Sequence, residues 1–143
     1  MRVLRSLPGW CGHAMFSHVG PNTHIVPHAG PGNYKIRLHL GLVVPPPPTR
    51  TALRAGAGLR TWREGRVTVF DDSLEHEVFN HAPARSRVVL MADVWHPSLS
   101  AAEVAATRAR LGAASDGARL GALLARTKLA RDDPFWEEFA QMS

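Results

Sequence analysis

Apolar and polar residues alternate in short runs along the first two thirds of the chain, and Gly, Pro and Asn separate the runs. Such runs at regular spacing are typical of the strands of an all-β sandwich or barrel. The clearest strands are predicted at 14–19, 23–27, 33–44, 66–70 and 86–95, with weaker ones near 51–54, 58–62 and 75–80. The pattern predicts a mainly β fold, a small jelly-roll or cupin-like barrel, with no helix signal between about residues 14 and 95.

The pattern changes after Pro97 to residues that favour helices, chiefly Ala, Leu, Arg and Glu. Ser100 and Glu103 have the spacing of a capping box, in which the first side chain bonds the backbone of the helix start and the second bonds back. We therefore predict a short helix that begins after Ser100 and ends near Gly112.

A second helix is predicted from Ser115 or Asp116 to Pro134, with a stripe of leucines along one side. That stripe needs an apolar partner. We expect two regions: a β-barrel domain at 1–97, and a short α-helical C-terminal extension at 98–143 that packs on the barrel. Self-association into a homodimer is the alternative.

Composition narrows the class of protein. The 143 residues are 45% apolar and 20% charged, as in a single globular domain. No apolar run approaches the roughly 20 residues of a membrane helix, and the N-terminus is a poor signal peptide, so we expect a cytoplasmic protein with no membrane segment. The single cysteine, Cys11, excludes an internal disulfide and a Cys-rich zinc site.

The positive charge is unevenly distributed. The net charge is +5, and all of that excess, together with all eight histidines, lies within residues 1–97. The basic residues are scattered over predicted strands instead of following one helix, and no nucleic-acid-binding motif is present. We expect no nucleic-acid partner and look for the chemistry in the β domain.

The strand predicted at 33–44 has two different faces, because strand side chains alternate with a period of two. One face carries Tyr34, Ile36, Leu38, Leu40 and Leu42, and the other carries Lys35, Arg37, His39 and Gly41. On a surface strand the cationic face would be solvated. Inside a barrel with an apolar outer layer it would need anionic partners, and a bound carboxylate would satisfy it, since the planar fork of Arg37 donates two parallel bonds.

Two histidines on different predicted strands are candidates for a metal pair. His28 precedes Gly30 by two positions, and His76 follows about fifty residues later. In barrels of the non-haem iron type, the position of Gly30 usually holds an acidic ligand. As a bare pattern the pairing is weak, because most histidines are surface or core residues.

Five motifs in order give a more specific indication. They are PHAGPGN at 27–33, RLHLGL at 37–42, WREGR at 62–66, FDDSLEHEV at 70–78 and DVWHP at 93–97. Over about two thirds of the chain these motifs resemble the catalytic domain of the aspartyl/asparaginyl β-hydroxylase family. The resemblance implies a double-stranded β-helix fold and a dioxygenase that uses Fe(II), 2-oxoglutarate and dioxygen.

The resemblance also implies a metal site. The two metal-binding histidines of the family match His28 and His76, and the lack of an acidic ligand at Gly30 is characteristic of the family. Asp71 or Asp72 could hold a water on the metal or orient His76. The alternative for these two residues is turn chemistry before a strand.

For 2-oxoglutarate, the resemblance implies four residues. The arginine that pairs with the distal carboxylate matches Arg87, and the serine that assists it matches Ser17. Arg87 lies one residue farther along than the usual pattern, so Arg85 is the alternative. Arg37 and His39 match the groups that hold the other end.

For the substrate, the resemblance implies an acidic or amide-bearing peptide or protein, hydroxylated on an aspartyl or asparaginyl side chain. Lys35 matches a basic residue that binds this side chain, whereas Met15 stands where a second basic residue is usual. The chain also resembles a truncated catalytic domain. The alternative function is therefore a catalytically impaired barrel that binds a metal and a dicarboxylate without a complete substrate cleft.

Overall fold

A computed structural model describes residues 2–47 and 50–114 of the chain. Its helices are α1 (Arg2–Arg5) and α2 (Ala101–Ala114). Its strands are β1 (Trp10–Val19), β2 (Thr23–His28), β3 (Lys35–Val43), β4 (Thr51–Ala55), β5 (Gly58–Arg60), β6 (Val67–Phe70), β7 (His76–Asn80) and β8 (Arg87–Trp95). Each predicted strand corresponds to an observed one, and the helix predicted after Ser100 is present. The second predicted helix lies outside the described residues.

The strands form two antiparallel sheets, with the orders β1-β8-β3-β6 and β2-β7-β4-β5. The first strand pairs with the eighth, the second with the seventh, the third with the sixth and the fourth with the fifth. This nested pairing is that of a jelly roll. The fold is therefore a mainly β, double-stranded β-helix, as predicted.

The interior of the barrel is unusually polar. The apolar core consists of Val19, Leu53, Trp62, Val78 and Val89. Within the part of the chain that the structure describes, eight buried side chains are polar or charged: Lys35, His39, Thr51, Asp72, His76, Asn80, Arg87 and Asp93. Buried polar groups need partners, so this set marks the region in which a site should be sought.

Strand β3 turns its cationic face inward. Lys35 and His39 are only 4% and 3% exposed, whereas Leu42 on the opposite face is 38% exposed. The outer face of the first sheet is apolar across all four strands, with Phe16, Leu90, Leu40 and Val67 in one register row. The cationic face of β3 therefore points into the barrel and its apolar face points outward, which is the second of the two arrangements considered from the sequence.

The chain divides by its contacts after Ser100. In the second unit the structure describes α2, which begins directly after the predicted capping residue Ser100. Neither helix among residues 2–47 and 50–114 is long and apolar enough to cross a membrane.

Candidate functional site

His28 and His76 are brought together by strand pairing. Strands β2 and β7 are antiparallel, and the two histidines are register partners on them. Their ring centroids lie 4.2 Å apart, with the ring planes inclined at 54°. His76 is buried, whereas His28 is exposed at the end of its strand. The pair predicted from distant points of the sequence is therefore adjacent in the fold.

Both imidazoles are oriented in the same way. Nδ1 of His28 lies 2.8 Å from the carbonyl oxygen of Val26, and Nδ1 of His76 lies 2.9 Å from that of Leu74. A carbonyl only accepts, so each Nδ1 carries the proton and each Nε2 keeps its lone pair. Burial lowers the pKa of His76 and so favours its neutral form. This is the arrangement of metal-binding histidines, whose other nitrogen is fixed by a backbone carbonyl.

Asp72 occupies the space beside Gly30. A Cβ at Gly30 would lie 2.6 Å from Oδ2 of Asp72, and the backbone N–H of Gly30 donates to the Asp72 carbonyl at 2.6 Å. No side chain fits at position 30 unless Asp72 moves. Over the described ranges, no third His, Cys, Asp or Glu joins the histidine pair in a metal-binding group.

Lys35 and Arg37 form a compact ion-pair cluster with two aspartates. Nζ of Lys35 donates to Asp72 at 2.6 Å and to Asp93 at 3.0 Å. Arg37 donates from Nε and NH2 to the two oxygens of Asp93, at 2.9 and 3.0 Å, and its NH1 lies 3.1 Å from Asp72. The carboxylate that the sequence analysis sought for these cations is thus supplied by the protein.

The charges of this cluster balance, with two cations facing two carboxylates. Burial raises the pKa of Asp93, but the hydrogen bonds and charges of Arg37 and Lys35 outweigh burial, and the pKa is lowered. Hydrogen bonds from charged donors stabilise the ionised form. The cluster therefore presents little net charge to a bound molecule.

The two aspartates of the FDDS run have different roles. Oδ1 of Asp71 accepts from the backbone N–H and the hydroxyl of Ser73, at 2.9 and 2.7 Å, which is turn chemistry. Asp72 is fully buried, and its Oδ1 has no hydrogen-bond partner within the described structure. Asp72 therefore belongs to the site, and the orienting group of His76 is the Leu74 carbonyl.

Arg87 is a buried cation with no acidic partner among the residues that the structure describes. The residue is 1% exposed, its NH1 donates to the hydroxyl of Ser17 at 3.2 Å, and its Cζ lies 4.6 Å above the centroid of the Trp62 ring. Burial lowers its pKa to about 10, so the group remains charged at neutral pH. Within the described ranges no carboxylate pairs with it, and its Nε is unsatisfied. Arg85 is exposed, so Arg87 is the interior guanidinium.

His39 supplies a second buried donor. The indole N–H of Trp62 donates to Nδ1 of His39 at 3.3 Å, and its Nε2 has no partner within the described structure. Burial, with the charges of Arg87 and Arg37, lowers the pKa of His39 to about 3. The imidazole is therefore neutral, and its remaining proton is on Nε2.

A series of side-chain contacts links these groups across the interior of the barrel. The ring of Phe70 lies 5.2 Å from that of His76 and 5.0 Å from that of His39. Trp62 then joins His39 to Arg87. The histidine pair is thus followed by an apolar ring, a neutral donor and a buried cation, which suits a ligand that carries carboxylates.

A shallow depression with room for about one water molecule lies next to Arg37 and Asp93. Its lining residues are His13, Ala14, Met15, Arg37, Met91 and Asp93. Met15, which is 51% exposed, forms part of this wall, so the depression is apolar on the side where the resemblance led us to look for a second basic residue.

Sequence reasoning missed Asp93, Trp62 and Phe70 as site residues. Asp93 could have been identified from the sequence, because the period of two along β8 places it on the same face of the strand as Arg87. Trp62 and Phe70 each begin one of the family motifs, but nothing in their spacing indicated contact with His39.

Comparisons with known proteins show to which family the chain belongs. Residues 1–97 match the family model described as aspartyl/asparaginyl beta-hydroxylase. The chain is 45% identical over 89 residues to the mouse aspartyl/asparaginyl beta-hydroxylase, covering 62% of this chain and 12% of that protein. It is 45% identical over 100 residues to the ornithine lipid ester-linked acyl 2-hydroxylase of Rhizobium tropici, covering 70% and 35%.

Among solved structures, the chain is similar to a cupin 2 conserved barrel domain protein from Salinispora arenicola, with a TM-score of 0.45 and 16% identity over 68% of this chain and 70% of that one. The chain spans only a minor part of the two hydroxylases, and the family model covers most of the chain. The chain belongs to the aspartyl/asparaginyl β-hydroxylase family.

Proposed function

We propose that this chain is an Fe(II)- and 2-oxoglutarate-dependent dioxygenase that hydroxylates an aspartyl or asparaginyl side chain of a peptide or protein. The observation that carries the proposal is the buried guanidinium of Arg87, which has no carboxylate partner in the described structure and an unsatisfied Nε. Ring contacts through Trp62, His39 and Phe70 link it to His76. An isolated buried charge costs several kcal/mol unless it is paired, so this interior is suited to an anion.

The residues present fit the two absent groups. His28 and His76 would hold the metal through Nε2, since each Nδ1 is bonded to a carbonyl. Arg87 with Ser17 would bind one carboxylate of 2-oxoglutarate, and the N–H of His39 lies ready for an acceptor. Iron(II) and 2-oxoglutarate, when bound, would supply the oxidative chemistry that hydroxylates a C–H bond, while the protein binds and orients.

In this proposal Arg37 and Lys35 have an indirect role in binding. Both are held by Asp72 and Asp93, so either could bind a carboxylate or amide only by sharing its donors. We propose that Lys35 and Arg37 set the polar wall against which the cosubstrate and the substrate side chain lie. The unsatisfied Oδ1 of Asp72 can accept a hydrogen bond from a water or from an amide N–H at this wall.

The experiment is a titration of 2-oxoglutarate into the iron(II)-loaded protein under nitrogen. Arg87→Met keeps an apolar stem of similar volume and removes the charge, and we expect the affinity to fall about 10- to 100-fold. Arg85→Met is the matched control, because Arg85 is exposed, and its affinity should change less than twofold. Equal behaviour of the two variants would contradict the proposal.

A catalytically impaired barrel that binds metal and dicarboxylate remains the second candidate. The balanced charges around Lys35 and Arg37 favour it, because they weaken the attraction for an acidic substrate. Succinate release separates the two. If the chain is a hydroxylase, succinate is released faster when Asp- or Asn-containing peptides are added. The same assay is repeated with an acyl lipid, because one relative is named as an acyl hydroxylase.

A further inference from the structure

Trp62 is a core side chain that touches both buried donors described above, His39 and Arg87. It is fully buried, its indole N–H faces Nδ1 of His39, and its ring face lies under the guanidinium of Arg87. We propose that Trp62 is the positioning residue of the cosubstrate pocket, fixing the His39 tautomer and holding Arg87 in place without consuming its N–H donors. This inference rests on the proposed function.

The tautomer argument follows from the chemistry of indole. The Trp62 nitrogen can only donate, so the nitrogen that faces it, Nδ1 of His39, must accept. The imidazole is neutral, and its single proton is therefore confined to Nε2. With the proton on Nδ1, two N–H groups would point at each other and Nε2 would present a lone pair, which repels a carboxylate. Trp62 thus decides whether His39 offers a donor or an acceptor.

The argument for Arg87 concerns how a buried cation is stabilised. A cation over an indole face gains about 0.5–2 kcal/mol from the ring quadrupole. Unlike a carboxylate, the ring does not neutralise the charge or occupy the N–H groups, and Nε of Arg87 indeed stays without a partner in the described structure. The guanidinium is therefore held in place and still available to an anion.

Trp62 itself is rigidly placed. It lies in the connection between β5 and β6, directly before a turn at 63–66. Two backbone hydrogen bonds tie that turn to Gly41 of β3, from Gly41 N–H to the Arg66 carbonyl at 3.0 Å and from Gly65 N–H to the Gly41 carbonyl at 2.9 Å. A Cβ at Gly41 would lie 2.4 Å from the carbonyl oxygen of Arg63. The close approach of turn and strand fixes the indole relative to His39.

The first test measures the tautomer directly. In ¹⁵N-labelled protein without metal or 2-oxoglutarate, the imidazole nitrogen shifts should show His39 with its proton on Nε2. Trp62→Phe keeps an aromatic ring and removes the N–H, and its His39 should show exchange between both tautomers. A wild-type His39 protonated on Nδ1 would overturn the inference, and this readout does not depend on any enzymatic activity.

The second test is a double-mutant cycle on 2-oxoglutarate affinity in the iron(II)-loaded protein under nitrogen. Trp62→Phe should weaken binding about tenfold in the wild type and less than twofold in a His39→Ala background, because the lost hydrogen bond acts only through His39. Trp62→Leu also removes the ring, and its additional loss should disappear in an Arg87→Met background.

The outcomes separate the two hypotheses. Losses that add fully in both backgrounds mean that Trp62 has only a structural role, and the inference is then wrong. If Arg87→Met itself leaves the affinity unchanged, the proposed function fails instead, while the tautomer measurement still judges the link between Trp62 and His39. Urea midpoints for every variant identify any that do not fold, and the wild-type tautomer remains decisive in that case.

Discussion

Gly30 and Asp72 illustrate how one residue can exclude another. The carboxylate of Asp72 lies where a side chain at Gly30 would begin, and Lys35 and Arg37 hold it there. An acidic side chain at position 30 would therefore displace Asp72, and overpacking of this kind costs typically 1–3 kcal/mol. The missing ligand and the ion-pair cluster are parts of the same arrangement.

Lys35 should prove essential for stability. Replacing it in Lys35→Met leaves Asp72 and Asp93 buried with only Arg37 as a cation, and breaking a buried ion pair costs about 3–5 kcal/mol. The free energy of unfolding in urea should fall by that amount. Arg63→Met, on an exposed side chain, is the control and should stay within about 0.5 kcal/mol. A loss below about 1 kcal/mol for Lys35→Met would show that the cluster stabilises little.

At the scale of elements, strand β3 shows what a sequence reveals and what it does not. Its period of two identified the cationic face, because alternation is a local property of the chain. The partners of that face, Asp93 and Asp72, come from β8 and from the connection before β7. Register between strands so far apart in sequence is set by the whole barrel, so the sequence pointed to a bound carboxylate where the fold supplies its own.

Strand β1 shows a second limit of local reasoning. It was predicted to begin at Ala14, but it begins at Trp10. The register shifts between Trp10 and Ala14, and Gly12 in that stretch has φ of 103°, a conformation that favours glycine. A bulge breaks the alternation, and the first four residues of the strand therefore gave no strand signal.

A substitution at Gly41 tests whether the position of the connection at 61–66 depends on its close contact with β3. In Gly41→Ala the new Cβ would meet the Arg63 carbonyl at 2.4 Å, so the turn that directly follows Trp62 must move. We expect an unfolding free energy lower by about 1–3 kcal/mol and weaker 2-oxoglutarate binding, measured by urea unfolding and titration. Gly20→Ala is the control, since its Cβ would make only an ordinary contact with Thr23 at 3.5 Å. If Gly41→Ala binds 2-oxoglutarate as tightly as the wild type, the position of this turn does not affect the site.

For the whole molecule, the family motifs located the histidine pair and the interior arginine, and the nested strand pairing explains why they meet. Residues 28 and 76 are distant in sequence, yet β2 and β7 pair because the jelly roll joins each early strand to a late one. What the motifs could not provide is the charge balance of the interior, since that depends on which carboxylate faces which cation in the folded barrel.

The lowered pKa values of His39 and Asp93 predict how the stability of the fold changes with pH. An unfolded histidine has a pKa near 6.5, whereas that of His39 in the fold is lowered to about 3. The unfolded chain therefore binds the proton first, so the contribution of neutral His39 is complete above pH 6.5 and is lost as the pH falls toward 3. The lowered pKa of Asp93 acts in the same direction, below the pKa of an unfolded aspartate.

Metal-free protein should consequently lose about 2 kcal/mol of unfolding free energy through His39 alone between pH 7 and pH 5. Urea unfolding at the two pH values measures the total change, and His39→Gln isolates this share, because a glutamine can still accept the Trp62 N–H and does not titrate. The variant should show a pH dependence smaller by about 2 kcal/mol, whereas the other histidines contribute equally to both proteins. Identical pH dependence in the two would mean that His39 is protonated as readily in the fold as in the unfolded chain, and that the barrel interior does not hold this imidazole neutral.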